Sequence, residues 1–213
     1  MANYLETIPL IKKWEGGYVD YPNDNGGCTM QGVTIATFRH YYGEKKTCSD
    51  LKRITEEQWG YIFKNGYWDV CKADEINNQS IANIIVDWAW MSGPRIVAKK
   101  IQEILKVPAD GIIGKQTLAA LNSADQKKLF ESIYKAREVF YENICEKKPS
   151  QRVFLKGWLN RLKDYTYSEN ITIKENNNTK NNEYVEKNFA LYINDTNAWN
   201  EHWMWKPEEP SNN

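Results

Sequence analysis

The chain has 213 residues, 41% hydrophobic and 26% charged, enough to bury a core in one or two domains. Its 28 basic and 28 acidic residues cancel, so no electrostatic footprint for nucleic acid or an acidic polymer is present. Four cysteines without a C-x-x-C pair, with only His40 and His202 beside them, argue against a zinc site, and no metal or organic cofactor is implied.

Met1 to Glu6 lacks the basic region and continuous apolar stretch of a signal peptide, and no apolar run approaches the ~18 residues of a membrane span. The expectation is a protein synthesised in the cytoplasm, without a signal peptide and without an integral membrane segment. Asn3-Tyr4-Leu5-Glu6 reads as a capping box opening a helix. Tyr4, Ile8, Ile11 and Glu15 then fall on one helical face, with Pro9 inside predicting a kink. An apolar stripe ending in a carboxylate is unusual, because burial favours the protonated form that a general acid needs. Gly16-Gly17 would stop the helix in the left-handed conformation and leave the carboxyl unshielded. The alternative is a solvated last-turn residue.

Asp24-Asn25-Gly26-Gly27 is strong turn chemistry, and the stretch from there to Cys48 is the place for a short hairpin or irregular loops. Thr55-Glu56-Glu57-Gln58 is a capping box, opening a helix with Trp59, Ile62 and Phe63 inward. Ser80 caps an apolar helix, Ile81 to Ser92, closed by Gly93-Pro94. Within it Asp87 shares a face with Asn83 and Met91; it must find a partner, Arg95 or Arg137 being candidates, or line a cleft. Ile96, Val97, Ile101, Ile104 and Leu105 mark the next helix, and Asp110-Gly111-Ile112-Ile113-Gly114 turns into a short one over Lys115–Leu121.

Ser123-Ala124-Asp125-Gln126 caps a long helix carrying Leu129, Ile133, Arg137, Phe140 and Ile144. After Pro149-Ser150 a further helix runs to about Asp164, with Val153, Phe154, Trp158 and Leu162 inward. Beyond Ser168 the composition turns Asn-rich, and Ile171–Ile173 with Ala190–Ile193 could pair as strands. The regions are therefore 1–93, 94–167 and an extension, 168–213.

The run E-G-G-Y-x5-D-x-G-G-x-T-x2-G-V-T, from Glu15 to Thr34, resembles the signature of glycoside hydrolase family 108, N-acetylmuramidases of lysozyme-like and secretion-activator type. The likeness continues at Gly66-Tyr67-Trp68, Asp87-Trp88-Ala89, Ser92-Gly93, Asp110–Thr117 and Phe154–Arg161, covering about residues 4–165. Asn25 and Met91 depart from the usual family residues, proline and asparagine. The resemblance implies an all-α, lysozyme-like fold with a peptidoglycan-binding region over about 94–165. It also implies Glu15 as catalytic acid in cleaving the bond between N-acetylmuramic acid and N-acetylglucosamine.

Asp24, nine residues beyond Glu15, resembles the second carboxylate of phage-type lysozymes, with Thr29 or Thr34 near the position of their threonine. Glycoside cleavage needs one protonated carboxyl at the leaving oxygen and a second group to orient water or stabilise the oxocarbenium-like state. Asp24 is equally a plausible turn residue. Tyr18, Tyr21, Tyr67 and Trp68 are candidate walls for stacked sugar rings, and Asp87 a candidate cleft residue; Trp88 and Trp158 read as core. Trp199, Trp203 and Trp205 are either a glycan platform or packing. The partners expected are peptidoglycan glycan strands and a holin or export route to reach them. The alternative readings are a non-catalytic wall-binding or secretion-assembly protein keeping the fold, and a chitinase-like hydrolase of another amino-sugar polymer.

Overall fold

A computed structural model of the chain describes residues 1–20 and 27–169. The described residues are mostly helical: α1 (Tyr4–Lys12), α2 (Ile35–Tyr42), α3 (Cys48–Leu51), α4 (Glu56–Phe63), α5 (Gln79–Ser92), α6 (Pro94–Leu105), α7 (Lys115–Ser123), α8 (Gln126–Lys147) and α9 (Arg152–Lys163). One antiparallel hairpin, β1 (Thr29–Met30) with β2 (Val33–Thr34), interrupts them where the glycine-containing stretch predicts it. Gln31 and Gly32 at its tip both have positive φ, 48° and 76°, the two-residue turn whose twist suits a hairpin. The proposed tail strands lie outside the described residues. Two compact units result, one of residues 5–62 and one of 1–4 with 63–169.

Local chemistry sets the helix starts. Thr55 and Gln58 form the reciprocal capping box, with N–H···O distances of 3.0 and 3.2 Å. Asp125 accepts the Lys128 N–H at 3.1 Å and opens α8. The Asn3 N–H donates to Gln79 Oε1 at 2.6 Å. One expectation needs correction. Asn78, not Ser80, caps α5 by accepting the Ile81 N–H at 3.1 Å. The Ser80 hydroxyl instead accepts the Ser168 N–H.

In the unit of 63–169, α5 is buried around almost its whole circumference and packs against α6 and α8, with α9 laid on α8. Gly157, Trp158, Arg161 and Leu162 form the inner face of α9, while Val153 is 71% exposed and does not join it. The Asp110–Thr117 element is a knot tied by buried Gln102. The Gln102 Nε2 donates to Asp110 Oδ1, Ile112 O and Thr117 Oγ1 at 2.7, 2.9 and 3.1 Å, and its Oε1 accepts the Gly111 N–H at 2.8 Å. Gly111 has φ +82°, and a Cβ there would meet Arg95 Cγ at 2.8 Å, so only glycine fits. The motif thus holds the turn between α6 and α7 and spends its polar groups doing so.

Candidate active site

Helix α1 ends at Lys12, three residues earlier than the stripe suggested. Tightened bonds carry the chain on: Trp14 N–H to Ile11 O and Glu15 N–H to Lys12 O, both at 3.1 Å. Glu15 follows this turn and is half-buried, not enclosed as the stripe implied. Gly16 and Gly17 do not stop the helix, and neither has positive φ. Their effect is steric, since a Cβ at either would meet nothing within 4 Å. Glu15 is therefore followed by two exposed glycines with open space where side chains would stand.

Lys12 fixes this turn from below. It is 8% exposed, with its ammonium paired to Glu56 Oε2 on α4 and lying 4.6 Å from the Trp59 ring centroid. Burial pulls the ammonium down to about 8. The Trp59 indole in turn donates to Gln31 O at 2.9 Å, joining α4 to the hairpin tip. The i, i+4 step from Ile8 puts Lys12 on the inner face, so its burial is legible in the periodicity of α1.

The hairpin is pinned on three sides. Val19 and Thr29 exchange N–H···O bonds of 2.8 Å each, tying β1 to the segment after Glu15. Gly27 has φ +67°, and a Cβ there would lie 2.9 Å from Ile35 Cγ2. Cys28 is disulfide-bonded to Cys48 at the start of α3, with 5.8 Å between their Cα atoms. Spacing alone gave no pairing; Cys71 and Cys145 stay as buried thiols, and burial pushes the Cys71 thiol up to about 12. The Thr29 hydroxyl is buried without a hydrogen-bond partner, which marks it for a water or a ligand. Thr34 is committed otherwise: it caps α2, accepting the Thr37 N–H at 3.1 Å. Tyr18 is half-buried, with its hydroxyl on Asp20 and the Lys52 ammonium 5.2 Å from its ring centroid, so a sugar would find only its other face. Asp24 and Tyr21 lie outside the described residues.

The remaining candidates belong to the unit of 63–169. Trp68 is fully buried and donates its indole N–H to Asp74 Oδ1 at 2.8 Å, so it is core and not a subsite wall. Tyr67 is half-buried and packs edge-on against Trp90, their centroids 4.6 Å apart. Asp87 lines no cleft: at 0% exposure it accepts Arg137 Nη2 at 2.5 Å on one oxygen and Arg161 Nε and Nη2 at 2.9 and 2.6 Å on the other. Burial works against its ionisation, but Arg161 and Arg137 outweigh it and hold the carboxyl below the usual carboxylate range. Arg137 was one of the expected partners; Arg161 was not foreseen. Met91 lies in the same cluster, its sulfur 3.4 Å from Arg137 Nη2 and 3.5 Å from the Tyr141 hydroxyl.

The glycosyl hydrolase 108 family matches residues 8–93, the segment that holds Glu15, the hairpin and Asp87. A second family, described as a predicted peptidoglycan domain, matches residues 97–163. Among solved structures, one titled "Structure of Brucella abortus SagA" is 29% identical with a TM-score of 0.67, the match covering 76% of this chain and 90% of that one. No curated protein matches the chain. The motif run around Glu15 and the two matched regions agree: a region of the glycosyl hydrolase 108 family is followed in this chain by a peptidoglycan domain.

Proposed function

We propose that the protein hydrolyses peptidoglycan at the glycosidic bond from N-acetylmuramic acid to N-acetylglucosamine, with Glu15 as general acid. The observation that carries the reading is Glu15 itself: the one carboxylate of the Glu-Gly-Gly-Tyr run, inside the matched hydrolase region and followed by two glycines with open space where side chains would stand. A glycan lying over those glycines would exclude water, which strengthens the interactions of the carboxyl with the bond to be cleaved. Glu15 would then protonate the leaving oxygen as the C–O bond breaks and positive charge develops on the sugar ring. Asp24 is our candidate for the second carboxylate, which activates water or carries that charge, and the partnerless Thr29 hydroxyl is our candidate to orient the water. The substrate lies outside the cytoplasmic membrane, so the activity requires release or export, through a holin or a secretion route.

The products test the bond. Digested peptidoglycan, reduced with borohydride and analysed by mass spectrometry, should end in reduced N-acetylmuramic acid. Reduced N-acetylglucosamine ends, or anhydro ends without a reducible group, would contradict the assignment. Undigested wall that still retains the protein would favour the wall-binding alternative.

A further inference from the structure

Helices α6 and α8 flank a groove of about 840 Å³, a size suited to a small ligand. Its lining falls between Lys100 and Asn143, wholly inside the segment matched by the peptidoglycan domain. Successive turns of α8 supply Lys128, Lys135, Ala136 and Val139 to one stripe, while α6 supplies Lys100, Glu103 and Ile104. We propose that this groove binds the peptide stems of peptidoglycan rather than its glycan strands, an inference that rests on peptidoglycan being the partner.

The chemistry of the lining favours peptide. Sugar rings are held by aromatic faces, and the groove has one aromatic residue, Phe140, whose ring is engaged edge-on with Trp88 and Tyr141 at centroid distances of 5.5 and 5.9 Å. The rest of the floor is aliphatic, from Ile104, Ala136 and 40%-exposed Val139, which suits the methyl groups of alanine residues. The walls carry both charges. Lys100 pairs with Glu103 at 2.7 Å, and Lys135 pairs with Glu138, just outside the lining, at 3.1 Å. Such exposed pairs are held weakly and can exchange partners. Stem peptides carry free carboxylates and, where a diamino acid is present, an ammonium, so both wall charges find a counterpart.

The test uses the full chain carrying Glu15→Gln, so that bound wall is not consumed. Two variants are added in that background: Ala136→Trp, which fills the floor, and Lys135→Glu, which reverses an exposed wall charge and leaves the packing untouched. Sedimentation is measured with intact sacculi and with glycan strands freed of their peptides by an amidase. Calorimetry uses a synthetic alanine–glutamate–diamino acid–alanine tetrapeptide. The groove predicts binding to the tetrapeptide, and binding to intact sacculi about tenfold weaker in either variant, with binding to peptide-free strands unchanged. Equal wild-type affinity for intact and peptide-free wall, or variants that bind intact wall like the parent, would overturn it. So would a concentration-dependent dimer abolished by Ala136→Trp, which would assign the groove to a second copy. Failure of hydrolysis in chains retaining Glu15, with peptide-dependent binding intact, would fall on the muramidase reading and not on the groove.

Discussion

Replacing Asp87 with asparagine isolates the most concentrated electrostatic feature of the fold. The carboxylate sits between Arg137 and Arg161, which are 0% and 6% exposed, and it supplies the negative charge in direct contact with both. Its removal leaves two guanidinium groups buried together, and breaking such a pair costs about 3–5 kcal/mol. That is a large share of the roughly 5–15 kcal/mol by which domains are stable. For a chain of this length it corresponds to a melting temperature lower by roughly 6–20 °C. Urea unfolding followed by tryptophan fluorescence reads it directly. The sign with pH is also fixed: because the arginines hold the carboxyl low, its stabilisation is complete above the unfolded carboxyl value and is lost as pH falls through the lower folded one. Acid destabilisation should therefore be shallower in Asp87→Asn than in wild type. Replacing all three residues with apolar ones, Asp87→Leu with Arg137→Met and Arg161→Met, should recover much of the loss. An Asp87→Asn protein within about 1 kcal/mol of wild type would refute the reasoning, since surface substitutions already span much of that range.

Three further outcomes follow from the unit of residues 5–62. Removing the Cys28–Cys48 bridge by the paired Cys→Ser substitutions, across a sequence separation of 20, should cost about 3 kcal/mol in urea titrations, and dithiothreitol should have no further effect on that variant. Thr29→Val replaces a buried, partnerless hydroxyl with a methyl of the same shape, so stability should hold or rise while kcat falls at least about tenfold if the hydroxyl orients water. Unchanged kcat would remove Thr29 from the mechanism. Lys12 holds its proton less tightly folded, at about 8, than unfolded, at 10.5, so its contribution to stability should rise as pH climbs between those values; Lys12→Met should abolish that part of the rise in urea midpoints.

What the sequence disclosed was local. The Thr55–Gln58 box and the Asp125 cap were readable because both partners lie within one turn. Asn78 and Ser80 are both competent caps, and what separates them is a contact from Ser168, far along the chain. The stripe through Tyr4, Ile8 and Ile11 identified the buried face of α1, but periodicity does not report where hydrogen bonding tightens, so it carried Glu15 three residues too far into the helix. An aspartate inside an apolar helix signals the need for a partner; that Asp87 takes two arginines, 50 and 74 residues away, depends on how α8 and α9 pack. With four cysteines three pairings are open, and only the fold selects Cys28 with Cys48. Of the candidate sugar walls, Trp68 went to the core because a large ring and a nearby Asp74 satisfy both its apolar and polar needs there.

The role of Glu15 is tested most directly by comparing wild type with Glu15→Gln for release of reducing ends from purified peptidoglycan. Glutamine keeps the shape and hydrogen-bonding capacity but has no proton to give. The account predicts that the variant folds, still sediments with the wall, and loses activity by at least the roughly 10²–10⁴-fold that general acid catalysis contributes. A Glu15→Gln protein that releases reducing ends as fast as wild type would contradict it.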